Sequence, residues 1–366
     1  MSPLPMSNHQ DLNSLLEYPL KLCAATTLTT YVLSIVTGNV SQVDRVWTFM
    51  PTIYTAYWAL LPLWPQNTAT WRYLAPYVPE ESSHFARDFS PRALLMLGLT
   101  VLWMFRLSYN TWRRGLFRLN DEDYRWVVLR NKIPPWLFQI VNLTFIAAIQ
   151  NALLLLIATP ALIAATHPSP LAFSDGVLAA IALGLIAFEF TADNQQYAYH
   201  AWKQGTYDVR AHWPGARLAW TKADAARGFC TRGLWSWSRH PNFFAEQSIW
   251  GVLNLIPLIP LRGTPVPVSA DESALSEALR ALVPLSPSLA LCLLFISSTR
   301  FTEAISASKY PRGYAAYRER VAMFVPMLTP VWGALLTLMG RRREVDELVW
   351  GMGAREAEAK DRAKAE

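Results

Sequence analysis

Seven separate apolar runs punctuate the chain, at roughly 20–38, 46–64, 92–112, 136–158, 175–192, 243–261 and 281–300. Each is near the ~20 residues that a helix needs to cross the hydrocarbon core of a bilayer. No water-soluble domain has use for so many. In lipid the backbone must satisfy its own hydrogen bonds, so runs of this length specify helices. The expected fold class is all-α: a polytopic membrane bundle of about seven transmembrane helices. Internal Pro weakens the second and sixth runs, and Thr content weakens the first. A further run, Val325 to Gly340, is short and carries Pro326 and Pro330; re-entrant, interfacial and tilted eighth-span readings are all open to it.

Composition agrees. Apolar residues make up 52% of the chain and charged residues 16%, and the 16 Trp are many for 366 residues, as membrane interfaces favour. The net charge of +6 is unevenly spread. Segment 113–135 holds six Lys/Arg, 193–242 holds seven, and the chain from Arg300 onward holds twelve. By contrast 159–174 has none, and 65–91 and 262–280 have two each. The positive-inside rule then puts the three rich segments and the C-terminus in the cytosol, and the N-terminus outside or in the lumen. Nucleic acid is not needed to explain the basic balance. Residues 1–19 contain no Lys or Arg and no signal-peptide pattern, so the first run is expected to be retained.

The organisation reads as an N-terminal non-cytosolic segment (1–17), one membrane domain (18–340, its catalytic half about 171–330) and a charged cytosolic tail (341–366). The tail favours helix but has little apolar face, and 262–280 reads as a variable non-cytosolic loop. Cys23, Cys230 and Cys292 lie far apart, without disulfide or metal spacing, and the six His are scattered, so no metal site is expected.

Polar residues inside such runs are costly, about 2.5–3.5 kcal/mol each on insertion scales, and persist where they face protein, water or a ligand. Four clusters stand out on the cytosolic side. The third run carries Arg106, Tyr109 and Arg113 at helical spacing; Arg106 lies deep, with snorkelling as the plain alternative. In the fifth run Glu189, Asp193, Gln196 and His200 repeat at 4, 3 and 4, one polar stripe climbing towards the cytosol. At 239–246, Arg-His-Pro-Asn-Phe-Phe-Ala-Glu opens the sixth run. Pro241 suits a first helical position, Asn242 and Glu246 share a face, and a helix start with Arg239 and His240 is an anion site. After the seventh run, Arg300 and Glu303 precede a Lys/Arg–Tyr-rich stretch, 309–320, suited to phosphates and a stacked ring or, more plainly, to interfacial anchoring. Gly-rich nucleotide-binding fingerprints are missing, which in practice excludes soluble nucleotide folds, and without a nucleophile elbow a serine triad is a poor reading.

The motifs resemble those of the DUF1295 branch of the steroid 5-alpha-reductase-like membrane reductases, relatives of the sterol C14 and C7 reductases. Gly233-Leu234-Trp235 with Ser238-Arg239-His240-Pro241-Asn242-Phe243 and Glu246 is similar to that family's Gly-Leu-Trp-x-Tyr-Ser-Arg-His-Pro-Asn-Tyr-x-x-Glu. Trp237 and Phe243 stand at its tyrosines. Ala192-Asp193-Asn194-Gln195 resembles its Ala-Asp-x-Gln, although Gln196 stands where a basic residue often follows. Glu303 and Gly313-Tyr314-Ala315-Ala316-Tyr317 through Pro326 resemble the terminal signature. Membrane methyltransferases of the isoprenylcysteine carboxyl type share part of this pattern but typically lack Asn242 and often Glu246.

The resemblance implies NADPH bound from the cytosol and a lipid or steroid-like enone entering between helices; in a eukaryote it implies the endoplasmic reticulum. Asp193, Gln196, Arg239, His240, Asn242, Arg300, Glu303, Tyr314 and Tyr317 become cofactor candidates. Glu246 becomes the acid at the substrate carbonyl, with Tyr109 as a second catalytic candidate, and Arg106 and Glu189 as substrate-side residues. The expected reaction is NADPH-dependent reduction of a polarised C=C bond. The alternatives are an S-adenosylmethionine-dependent lipid methyltransferase and a non-catalytic lipid-binding membrane protein.

Overall fold

A computed structural model describes residues 13–66, 75–118, 120–261 and 283–351. Every regular element among them is helical. Five helices are long and apolar enough to cross a membrane: α1 (Glu17–Thr37), α4 (Pro91–Arg113), α6 (Pro135–Thr166), α7 (Phe173–Lys203) and the stretch Val283–Lys309, whose regular part is α11 (Ser286–Lys309). The chain is an all-α integral membrane protein.

Two of the seven expected spans take another form. Run 46–64 divides into α2 (Gln42–Trp47), α3 (Met50–Ala59) and a 3-10 turn, Leu61–Leu63. Pro62 ends the helix early, and α3 buries Tyr54, Tyr57 and Trp58 against protein. Run 243–261 becomes α9 (Pro241–Leu255), 15 residues long, and the short α10 (Leu258–Leu261), interrupted at Pro257. The loop 262–280 and the end of the tail, 352–366, lie outside the described residues.

The chain forms two compact units. The first comprises residues up to Leu183 together with Ile249–Cys292. Ser90 starts α4 by capping the Ala93 N–H, with Pro91 at the first position. Arg92 is buried there, and its fork meets both Asp175 oxygens at 2.8 Å. Trp103 packs edge-on against Trp250 at 5.0 Å. Buried amides join α1 to α6: Asn142 donates to Ser34 at 2.8 Å and Asn151 to Thr30 at 3.2 Å, the side-chain glue that membrane helices use in place of a hydrophobic driving force. The helix α5 (Tyr124–Arg130) is capped by Asp123.

The second unit comprises Gly184–Ser248 with Leu293 onward. It holds the last part of α7, α8 (Lys222–Arg227), the start of α9, the end of α11, then α12 (Pro311–Arg320), α13 (Leu328–Leu338) and α14 (Arg342–Trp350). Tyr199, Trp220, Trp235 and Cys230 make one core cluster, and Tyr314, Tyr317, Val321, Leu336, Val345 and Val349 another. Thr221 and Asp224 form a capping box at α8. Three groups, Thr221, Arg227 and Arg232, hold the Asp224 carboxyl low although burial pushes it up. Gly228 ends α8 at φ 90°, where a Cβ would run into the Tyr310 ring; only glycine fits.

Candidate functional site

The site is built on the turn 233–241. Gly233 opens it at φ 63°, and a Cβ there would lie 2.6 Å from the Gln195 amide. Gln195 holds the turn from α7: its Oε1 accepts the Leu234 N–H at 2.8 Å while its Nε2 donates to the Gly215 carbonyl at 2.9 Å. The Trp235 indole donates to the Ala192 carbonyl at 3.0 Å, and the Tyr317 hydroxyl to the Trp235 carbonyl at 2.5 Å. The next residues run beside 322–323: the Arg239 N–H donates to the Ala322 carbonyl at 2.9 Å and the His240 N–H to that of Met323 at 3.1 Å. Pro241 then starts α9, where its missing N–H costs nothing.

At the centre is a buried ion cluster. Arg239 donates Nε to one Glu303 oxygen at 2.7 Å and a terminal nitrogen to the other at 3.1 Å. Its remaining nitrogen reaches the carbonyls of Arg318, at 3.1 Å, and Val321. All three guanidinium nitrogens thus have partners within the protein. His240 Nε2 lies 3.0 Å from Glu303 and its ring stacks on Phe243. Burial pushes the His240 pKa down, against the raising effect of Glu303; the neutral ring donates its Nε2 proton to the carboxylate. Arg318, more than half exposed, completes the cluster at 3.6 Å.

Beside this cluster the fifth-run stripe meets the opening motif. Asn242 Nδ2 donates to Asp193 Oδ1 at 3.1 Å, and Asn242 Oδ1 accepts the Phe243 N–H at 3.0 Å. Glu246 follows one turn later on α9 and is buried. Glu189, one turn before Asp193 on α7, is buried as well, whereas Gln196 is half-buried and His200 exposed. Phe243 packs edge-on against Phe295 of α11, and Phe244 against Phe188 of α7.

The other sequence-derived candidates divide by environment. Arg300 is exposed, one turn before Glu303 on α11. Tyr314 and Tyr317 are buried, their rings packed against Phe229. Arg106 and Tyr109 belong to the first unit, on α4; Arg106 is buried, and the exposed Tyr109 ring carries the Arg113 guanidinium at 5.1 Å. Two residues of the site are visible in sequence motifs without being singled out as site residues. Gln195 lies within the Ala-Asp-x-Gln stretch, but helical spacing points to its neighbour Gln196; Arg318 lies within the Lys/Arg–Tyr stretch 309–320, where nothing separates it from the other basic residues. Among the described residues no group of three His, Cys, Asp or Glu could hold a metal ion.

The model of the family described as a protein of unknown function, DUF1295, matches residues 30–321. The chain belongs to the DUF1295 family. A DUF1295-matching stretch of this length takes in the stripe on α7, the turn 233–241 and the Glu303 cluster. The chain is also 33% identical over 297 residues to "Uncharacterized protein C594.04c" of Schizosaccharomyces pombe, covering 81% of this chain and 75% of that protein. No solved structure matches.

Proposed function

We propose that this DUF1295 protein is an NADPH-dependent reductase of a C=C bond in a hydrophobic, steroid-like or other lipid enone. The observation that carries the reading is the Asn242–Asp193 hydrogen bond at 3.1 Å, with buried Glu246 one turn further along α9. The donor set suits a dinucleotide. Asn242 and Asp193 offer the amide and carboxylate that carboxamide and ribose hydroxyls pair with, and the exposed Arg300 and Arg318 offer cations to phosphates. When bound, NADPH would supply the hydride for the β-carbon of the enone, and a general acid or water would give the α-carbon its proton. Glu246 hydrogen-bonds the substrate carbonyl and stabilises the negative charge that develops on its oxygen. The apolar surroundings, Phe243, Phe244 and Phe295 among them, keep water from that charge. Arg239 and His240 act by holding Glu303 and the turn.

With the basic segments cytosolic, the nucleotide enters from the cytosol; in a eukaryotic cell the endoplasmic reticulum is the proposed membrane. Thermal unfolding of the purified protein tests the reading. Saturable stabilisation by NADPH, exceeding that by NADH, is expected, about 2.7 kcal/mol at a hundredfold excess over Kd. Stabilisation by S-adenosylmethionine alone would assign a methyltransferase, and none by any of the three would leave a lipid-binding protein.

A further inference from the structure

Residues 325–340 begin and end at one place on the protein surface, with one face of α13 packed against it. Arg320, before the segment, pairs with Asp346, after it, at 2.7 Å. Glu319 and Arg341 pair at 2.5 Å. The Ala322 N–H donates to Thr329 at 2.9 Å. A crossing would set the two ends apart by the ~30 Å of the hydrocarbon core, which these pairings forbid. The helix α13 has 11 residues, about 16 Å at 1.5 Å per residue, and is too short to cross in any case.

Most of the helix is nonetheless apolar and uncovered. Only Thr329, Gly333 and Leu336 are buried; Leu328, Val331, Trp332 and Leu335 are exposed, and Leu338 is 84% exposed. At its C-terminal end Gly340 turns at φ 69°, and Arg341, Arg342 and Arg343 follow, all exposed. Arg341 and Arg342 make solvent-exposed pairs, which hold them weakly; Arg343 has no ion pair among the described residues. An apolar face edged by arginines, in a chain with five membrane-length helices, is complementary to a bilayer surface.

We propose that residues 325–340 are an in-plane anchor: α13 lies within the interfacial zone of one leaflet, its apolar side among acyl chains and Arg341–Arg343 against anionic phospholipid headgroups. The anchor is joined to the turn that carries Arg239 and His240, because the Thr329 hydroxyl donates to the Trp237 carbonyl at 2.5 Å. Lipid contact at α13 therefore steadies that turn, whichever ligand the site takes.

Depth measurement on the full-length protein tests this. Single cysteines at Leu328, Val331, Leu335 and Leu338, in a chain with Cys23, Cys230 and Cys292 replaced by Ala, are spin-labelled in nanodiscs of phosphatidylcholine with or without phosphatidylserine. Relative access of oxygen and a nickel chelate gives each label's depth. All four labels are expected at one shallow depth, about 5–10 Å into the headgroup–acyl boundary, and deeper with phosphatidylserine; Arg342→Gln with Arg343→Gln should abolish that deepening. A steady gradient of depth from 328 to 338, exclusion of oxygen at all four positions, or indifference to phosphatidylserine would each overturn the proposal. Should the cysteine-free chain not fold, a photoreactive residue at Val331 in the natural chain separates the same alternatives. Crosslinking to lipid supports the anchor, and crosslinking to a second copy or another protein overturns it.

Discussion

Asn242 gives its side-chain amide to the Asp193 carboxylate across 49 residues of sequence, and turns its own oxygen back to the Phe243 N–H. The pair fixes one helix start against the stripe on α7, with both orientations set before any ligand arrives. Such preorganisation is what a binding site needs if it is not to spend affinity on ordering.

Asn242→Ala should therefore act on the nucleotide. Losing a hydrogen bond to a charged group costs about 1.5–3 kcal/mol, so KM for NADPH should rise roughly ten- to a hundredfold with little change in kcat. Steady-state kinetics at saturating lipid substrate measure this, and an unchanged KM would remove Asn242 from the nucleotide site.

Glu246→Leu keeps much of the size and removes the group that hydrogen-bonds the substrate carbonyl. Turnover is expected to fall about 10²–10³-fold, the scale of one lost donor at a developing oxyanion, with nucleotide binding intact by thermal shift. Near-normal turnover would exclude the carboxyl from the chemistry.

Arg239 offers a sharper contrast. Sequence reading makes it a phosphate ligand, whose loss would raise KM alone; its four hydrogen bonds within the protein give a different expectation. Arg239→Ala should lower stability by about 3–5 kcal/mol, because Glu303 stays buried without its partner, and the pair Arg239→Met with Glu303→Leu should recover much of it. Thermal unfolding in detergent reads both. A normal Tm with a raised KM would restore the phosphate role.

His240 predicts the effect of acid. Burial holds its pKa below the ordinary value, so unfolding in mild acid takes up a proton and the unfolded chain binds more of them. Its contribution is intact above about pH 6.5 and declines as the pH falls from there through the lower, folded-state pKa. The Tm should drop on acidification across this window, and His240→Gln, which can still donate to Glu303, should flatten that part of the profile.

Long apolar runs make the helical membrane class legible, because lipid leaves the backbone no other choice. They cannot separate a lipid-facing helix from one buried in protein. Run 46–64 is as apolar as a span, yet Tyr54, Tyr57 and Trp58 are interior residues. The stripe Glu189–Asp193 is visible because helical periodicity puts i and i+4 on one face. Its meeting with Asn242 is not, since periodicity says nothing of which helix faces which. The same holds for Arg239 and Glu303. Each reads as a free charge until the fold reveals that one neutralises the other.

The 64 residues between Arg239 and Glu303 also set an order of events during synthesis. At about 5–20 residues per second, the arginine is made roughly 3–13 s before the carboxylate that will neutralise it. Throughout that interval a buried guanidinium would be uncompensated, so the turn 233–241 must wait at the aqueous surface. It can close once α11 and the residues up to 323 have followed. A nascent chain halted anywhere before Glu303 thus lacks the carboxylate on which this turn closes.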